Sequence, residues 1–330
     1  MPADEHSMTD LSYVQTALAA LEYDYTKLAP RIRTLDHSVT CNCEGVVLRL
    51  HYPAFRQGLA TMQELVDTIF HFITPFCLPR SDVTSVKDLY GKVSVDEFTI
   101  KYEKLSEEAR SLFKRANKTT NRNGEAGELL LYLLTEWVLE APQIIAKMSL
   151  KTNRAMPVHG ADGVHARYCS ESSRLFLYWG ESKIYSDVGD AISEAMKSII
   201  ESLDPEKMKH ELDLMKRNIG FTGFSEVARK AFLDFLDPFC ENYNERHDII
   251  TCLIGFDFDA YANINAAKGN DSEKEFVELA KLHIAKLSPR VARAMTTAGL
   301  VGRPIELFFF PVPSVKDFRD LFQAKIGWAE

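Results

Sequence analysis

Of the 47 aspartates and glutamates in this chain, one alone stands two places before a lysine, in Glu181-Ser182-Lys183. The triplet falls in a β-prone run over residues 174–185, and on a strand the side chains at i and i+2 share a face. A carboxylate and an ammonium are thus set on one surface. The strand predicted before it, over 162–168, opens with Asp162, behind the turn His159-Gly160-Ala161 and ahead of Gly163. In a hairpin the start of one strand lies beside the end of its partner, so Asp162 and Glu181 converge at one end of the sheet. Two carboxylates make a hard oxygen site suited to Mg²⁺ or Mn²⁺. Lys183 beside them would stabilise developing negative charge or help activate water. Glu125 and Glu128, three apart on a predicted helix, share a face. Glu128 leads into a leucine run, which would bring it near the same cleft. Acid, acid and lysine around a divalent ion is the equipment for phosphodiester hydrolysis: the metal lowers the pKa of water and offsets charge on phosphorus, and the lysine does part of that work from the other side. The plainer reading of the triplet is a salt bridge on a solvated face.

Other residues invite chemistry less strongly. His159 and His165 flank Asp162 and read more readily as supporting or structural than as metal ligands. Lys151 and Arg154, in the loop before Asp162, are candidate DNA phosphate contacts, as are Lys118 and Arg122, with Lys114 and Arg115, in a basic linker. Cys41-Asn42-Cys43 lacks a second pair at zinc spacing. No P-loop or GxGxxG fingerprint appears, so this chain is expected to bind no nucleotide itself. Phe308, Phe309 and Phe310 are consecutive and fit a strand buried on both faces. Phe232, Phe235 and Phe239 form a helical apolar stripe that reads as core, with a partner surface as the other reading.

The elements that must position these residues follow from periodicity and breakers. Helices are predicted over 11–28, 55–72, 106–116, 125–140, 187–203, 205–218, 272–286 and 314–326. Strands are predicted over 45–52, 143–150, 162–168, 174–185, 248–256 and 304–311, with a hairpin turn at 169–173 and a loop at 151–160. The Asn-rich run 117–124 is the best linker in the chain. It places a boundary near residue 115, between an N-terminal α/β accessory region (1–115) and a core with C-terminal helical and strand additions (116–330). The order helix, three strands, helix, strand is a mixed α/β core.

Composition sets the bounds. The chain has 330 residues, 46% hydrophobic and 26% charged, the balance of a globular protein rather than a disordered or collagen-like one. No apolar stretch approaches the ~18 residues that span a bilayer. The first residues carry no secretory pattern, and six scattered cysteines form no disulfide framework; a reducing cytoplasm is the expected location. The net charge of −8 argues against bulk electrostatic coating of nucleic acid. Between Lys114 and Lys183, however, ten basic residues face seven acids, and such a segment can hold a phosphate backbone locally.

Three segments carry a family resemblance. Gly124-Glu125-Ala126-Gly127-Glu128-Leu129-Leu130, His159-Gly160-Ala161-Asp162-Gly163-Val164-His165 and Trp179-Gly180-Glu181-Ser182-Lys183 resemble the HamA effectors of Hachiman antiphage defence. Helix-Glu, Asp-Gly and Glu-x-Lys in this order resemble the PD-(D/E)xK nuclease superfamily. The resemblance is strongest over roughly residues 120–200. It implies an α/β fold with a mixed-sheet PD-(D/E)xK-like core and a Mg²⁺- or Mn²⁺-dependent DNase. It also implies a HamB-like superfamily 2 helicase partner, which restrains the nuclease until it engages damaged or invading DNA. Carried over by motif, Asp162 and Glu181 would be metal ligands, Lys183 the catalytic lysine and Glu128 a supporting acid. Ala161 stands where the pattern has proline. The rival reading is a non-catalytic adaptor of the same fold that binds a helicase and nucleic acid. An RNase or a nickase would use the same residues.

Overall fold

The computed structural model describes residues 5–35, 39–40, 44–120, 124–151, 161–264 and 271–327. The strands are β1 (Ile32–Thr34), β2 (Val39–Thr40), β3 (Val46–Pro53), β4 (Phe55–Arg56), β5 (Leu59–Ala60), β6 (Gln143–Ile145), β7 (Gly163–Cys169), β8 (Arg174–Ile184), β9 (Arg246–Asp257) and β10 (Ile305–Val312). Eight of them form one sheet in the order β1-β3-β10-β9-β8-β7-β6, with β2 also on β3. The pairs β3–β10, β10–β9 and β9–β8 are parallel, and the flanking pairs are antiparallel. The expected mixed α/β architecture holds.

Helices cover both faces. α1 (Glu5–Ala19), α2 (Met62–Phe70), α3 (Ile73–Cys77), α4 (Arg80–Lys87), α5 (Val95–Thr120), α6 (Glu125–Val138) and the short α7 (Lys147–Lys151) precede the central hairpin. α8 (Val188–Ser202), α9 (Pro205–Asn218), α10 (Glu226–Asp234), α11 (Ala260–Asn263), α12 (Asp271–Thr297) and α13 (Val315–Ile326) follow it. On one face α2 to α6 and α13 pack over Tyr178, Leu253, Phe308 and Phe310. On the other face two separate cores form. α8 and α12 cover β3, β9 and β10 through Leu48, Cys252, Ile254 and Phe309. α1, α9 and α10 cover β7 and β8 through Val164, Leu177 and Trp179. Phe308, Phe309 and Phe310 alternate between these faces, all fully buried, which is worth ~1.5–3 kcal/mol each.

Several expectations are corrected. The helix over 55–72 begins only at Met62. Before it, Gln57 and Gly58 take positive φ (52° and 81°) and turn β4 back on β5, a Gln-Gly turn hidden in the apolar periodicity. The strand over 143–150 stops at Ile145 and becomes α7. The helix over 11–28 stops at Ala19, whereas those over 106–116 and 272–286 extend to Val95–Thr120 and Asp271–Thr297, the latter with Pro289 inside it. Phe232 and Phe235 are core, but Phe239 is 97% exposed. Strands from both sides of the boundary expected near residue 115 share one sheet, since Val46–Leu50 pairs with Ile305–Phe309. α5 runs through that boundary.

Two histidines are sealed into this fold. His51 sits beside Phe308 and Trp137, with Nδ1 against Thr34 Oγ1 at 3.1 Å. His165 packs on Tyr132 and donates from Nδ1 to the Ala141 carbonyl at 2.9 Å. Burial pushes both down to about 3 from an ordinary 6.5. The folded value lies below the unfolded one, so the unfolded chain binds the extra protons. Stability is therefore complete above pH 6.5 and is lost as pH falls from there toward 3. Urea unfolding at pH 5.5 is expected to give a free energy lower than at pH 7.5 by roughly 1.4 kcal/mol for each histidine. His51→Gln should shrink that loss by its own share; an unchanged loss would contradict a neutral, buried His51.

Candidate active site

The hairpin β7–β8 brings the predicted residues together. Its register pairs Gly163 with Gly180, so one step further out Asp162 stands opposite Glu181. The Asp162 N–H donates to the Gly180 carbonyl at 2.6 Å, and the Ser182 N–H donates to Asp162 Oδ2 at 2.9 Å. Strand alternation puts Val164, Asp162, Trp179, Glu181 and Lys183 on one face. Trp179 belongs to the core under α1, α9 and α10, whereas Cys252 and Ile254, paired with Glu181 and Lys183 on β9, belong to the core under α8 and α12. The carboxylates thus fall where the two helical groups meet, with Glu181 in the carboxyl-terminal half of β8 opposite the middle of β9.

Charge is concentrated there. Glu181 is only 7% exposed. Burial and the neighbouring Asp162 charge push its carboxyl up to about 7, against the pull of Lys183 and Lys147. Lys183 Nζ lies 3.2 Å from Glu181 Oε2. Burial works against the charged amine, but Glu181 and Asp162 outweigh it and hold its pKa above the ordinary lysine value. On β9, burial pushes the Cys252 thiol far up, so it stays a protonated, inert wall of the site. Two close carboxylates in a half-dry setting fit a divalent cation, whose charge would relieve both desolvation and mutual repulsion. Among the described residues no group of three or more His, Cys, Asp and Glu is placed to hold a metal. The pair would supply two oxygen ligands and leave the rest to water or a phosphate, the usual habit of Mg²⁺.

The other candidates lie elsewhere. Glu125 is buried and Glu128 half-buried in the first turn of α6. That turn lies over the opposite face of β8 from Glu181 and Lys183, because Gly127 meets the Ser182 and Ile184 side chains. His165 faces α6 and carries the structural role described above. Arg122, Arg154 and His159 lie outside the described residues, as do the Cys41 and Cys43 pair and the side chains of Lys118 and Lys151.

One pair near the site escaped the sequence reading. Lys147, 1% exposed, lies 2.6 Å through Nζ from Glu211 Oε2 on α9 and donates to the Ala161 carbonyl, one residue before Asp162. A lone lysine inside Ile144-Ile145-Ala146-Lys147-Met148 was the available signal: a charge in an apolar run is either a surface residue or a buried one with a partner.

A family model described as HamA matches residues 31–326, nearly the whole chain. No curated protein matches it. Among the described residues no helix is long and apolar enough to cross a membrane.

The close approach of α6 gives a test of this geometry. Alanine is the better helix former by about 1 kcal/mol. A Cβ at position 127, however, would fall 2.3 Å from Ser182 Oγ and 2.7 Å from Ile184 Cδ1. Gly127→Ala is therefore expected to lower the urea-unfolding free energy by about 1–3 kcal/mol, with part returned by Ser182→Gly. A stabilised Gly127→Ala would mean that α6 does not seat on β8 this closely.

Proposed function

The chain belongs to the HamA family of Hachiman antiphage defence, and from this premise we propose that it is the system's divalent-metal-dependent deoxyribonuclease. The observation that carries the reading is Asp162 and Glu181 facing each other across the hairpin, with Lys183 paired to Glu181 on the same surface. Asp162 and Glu181 hold the ion. When bound, it supplies Lewis acidity toward the phosphate and lowers the pKa of water. Asp162 is set for this by its own backbone latch, with Oδ2 anchored to the Ser182 N–H. Lys183 stays protonated beside the two acids and offsets the negative charge that develops on the phosphoryl oxygens. Lys118, Arg122, Lys151 and Arg154 track the DNA backbone; Glu128, in the first turn of α6 across β8 from Glu181 and Lys183, is left out of the site. A HamB-like superfamily 2 helicase restrains and releases this activity; the defence system implies a partner, and this chain has no nucleotide fingerprint of its own.

Purified protein is expected to fragment linear and supercoiled duplex DNA in Mg²⁺ and to stop on addition of EDTA. If it is held off when alone, cleavage appears with the helicase and ATP. Lys183→Ala should fold, by circular dichroism, and cut ~10²–10³ times more slowly, the typical loss of one transition-state stabiliser. Equal cleavage by wild type and Lys183→Ala would remove Lys183 from the mechanism. Neutralising any one of Lys118, Arg122, Lys151 or Arg154 should weaken DNA binding on all sequences and reduce the slope of log affinity against log salt by about 1; an unchanged slope strikes that residue from the DNA path.

A further inference from the structure

The edge strand β6 should steady the base of the hairpin, yet it leaves before reaching it. Its register with β7 runs from Gln143↔His165 to Ile145↔Val164, with an irregularity between. The chain then turns into α7 at the level where the next residues would have paired with Gly163 and Asp162. This matters for one peptide group. The Asp162 N–H points at β8, donating to Gly180 at 2.6 Å. In a trans peptide the Ala161 carbonyl must point the other way, toward the place that β6 has vacated. Ala161 is buried, and a buried carbonyl without a donor is costly. Lys147, the first residue of α7, fills that place: its Nζ donates to the Ala161 carbonyl, and Glu211 of α9 neutralises it at 2.6 Å. The peptide bond that carries Asp162 is thereby gripped at both ends.

We propose that Lys147, charge-balanced by Glu211, is a positioning residue for Asp162: a side-chain substitute for the missing strand partner, fixing the backbone from which the site's first carboxylate projects. Its consequence for catalysis rests on the nuclease reading of Asp162, but its mechanical part does not. A buried ion pair gives little net stability compared with apolar residues of the same volume, while removing one partner alone strands a buried charge. On the proposal, the pair at the base of this hairpin specifies geometry rather than adding stability.

The test is amide hydrogen exchange on the full chain, without metal or DNA, comparing wild type with Lys147→Met and with Lys147→Met/Glu211→Met. The double variant removes both charges together and keeps the fold where the single one strands Glu211. Exchange in peptides carrying the Asp162 amide is expected to rise at least 10-fold, while peptides across the far end of the hairpin, Tyr168 to Leu175, stay as in wild type. Lys147→Arg, which keeps donor and charge, should restore slow exchange. Unchanged exchange at Asp162 in a folded variant, or acceleration along the whole hairpin, would overturn the proposal. Cleavage is read in parallel: a fall in kcat of at least 10-fold at unchanged KM is expected of the double variant. If wild type cuts no DNA either alone or with the helicase and ATP, the nuclease reading fails by itself and the exchange result still decides the role of Lys147.

Discussion

Two carboxylates facing each other across a hairpin, one of them almost wholly buried, repel one another, and much of the surrounding structure answers that repulsion. Lys183 lies against Glu181 on the same face. Asp162 is tied by its carboxylate to the Ser182 N–H. Lys147 adds a second cation behind the pair and acts on Glu181 through space. Even so, Glu181 remains reluctant to ionise. A protein gains nothing in stability from such an arrangement, since an uncompensated buried carboxylate is destabilising. On the proposed reading, a bound cation would relieve that cost.

The sheet explains how the acids can be buried and still reachable. β8 is covered on one face by α6, which comes close because Gly127 and Gly180 carry no side chains; a Cβ on Gly180 would already stand 3.2 Å from Leu131. On the other face no single helix among the described residues runs along the whole of β8. The core under α1, α9 and α10 ends near Trp179, and the core under α8 and α12 begins on β9. Glu181 and Lys183 occupy the seam. The parallel crossovers from β8 through α8, α9 and α10 to β9, and from β9 through α12 to β10, place the helices that flank that seam. The setting of the two carboxylates thus depends on packing many residues away.

How much of this was legible in the sequence follows from the range of the forces involved. Asp162, Glu181 and Lys183 could be placed together because strand alternation and hairpin antiparallelism are local rules. The helices predicted from 187 and 205 start there for an equally local reason: Asp187 caps α8 and Pro205 opens α9. Which face α6 would cover was not local. Glu128 leads into leucines whichever side they pack against, and only the contact of Gly127 with Ser182 shows that the helix lies across the strand from the lysine. The early end of β6 was hidden too. Gln143 to Leu150 is apolar enough for a strand, and it turns into α7 where Lys147 finds Glu211, 64 residues away in sequence and on another helix. The exposed Phe239 breaks a stripe whose periodicity was otherwise right.

The central claim is that Asp162 and Glu181 together hold a divalent cation. The most direct measurement is anomalous diffraction from crystals of the full chain soaked in Mn²⁺, collected for wild type and for Asp162→Asn. The account expects one anomalous peak within coordination distance of both carboxylates in wild type and its loss in the variant. A wild-type protein that cleaves DNA in Mn²⁺ while the space between these two carboxylates stays empty would contradict it.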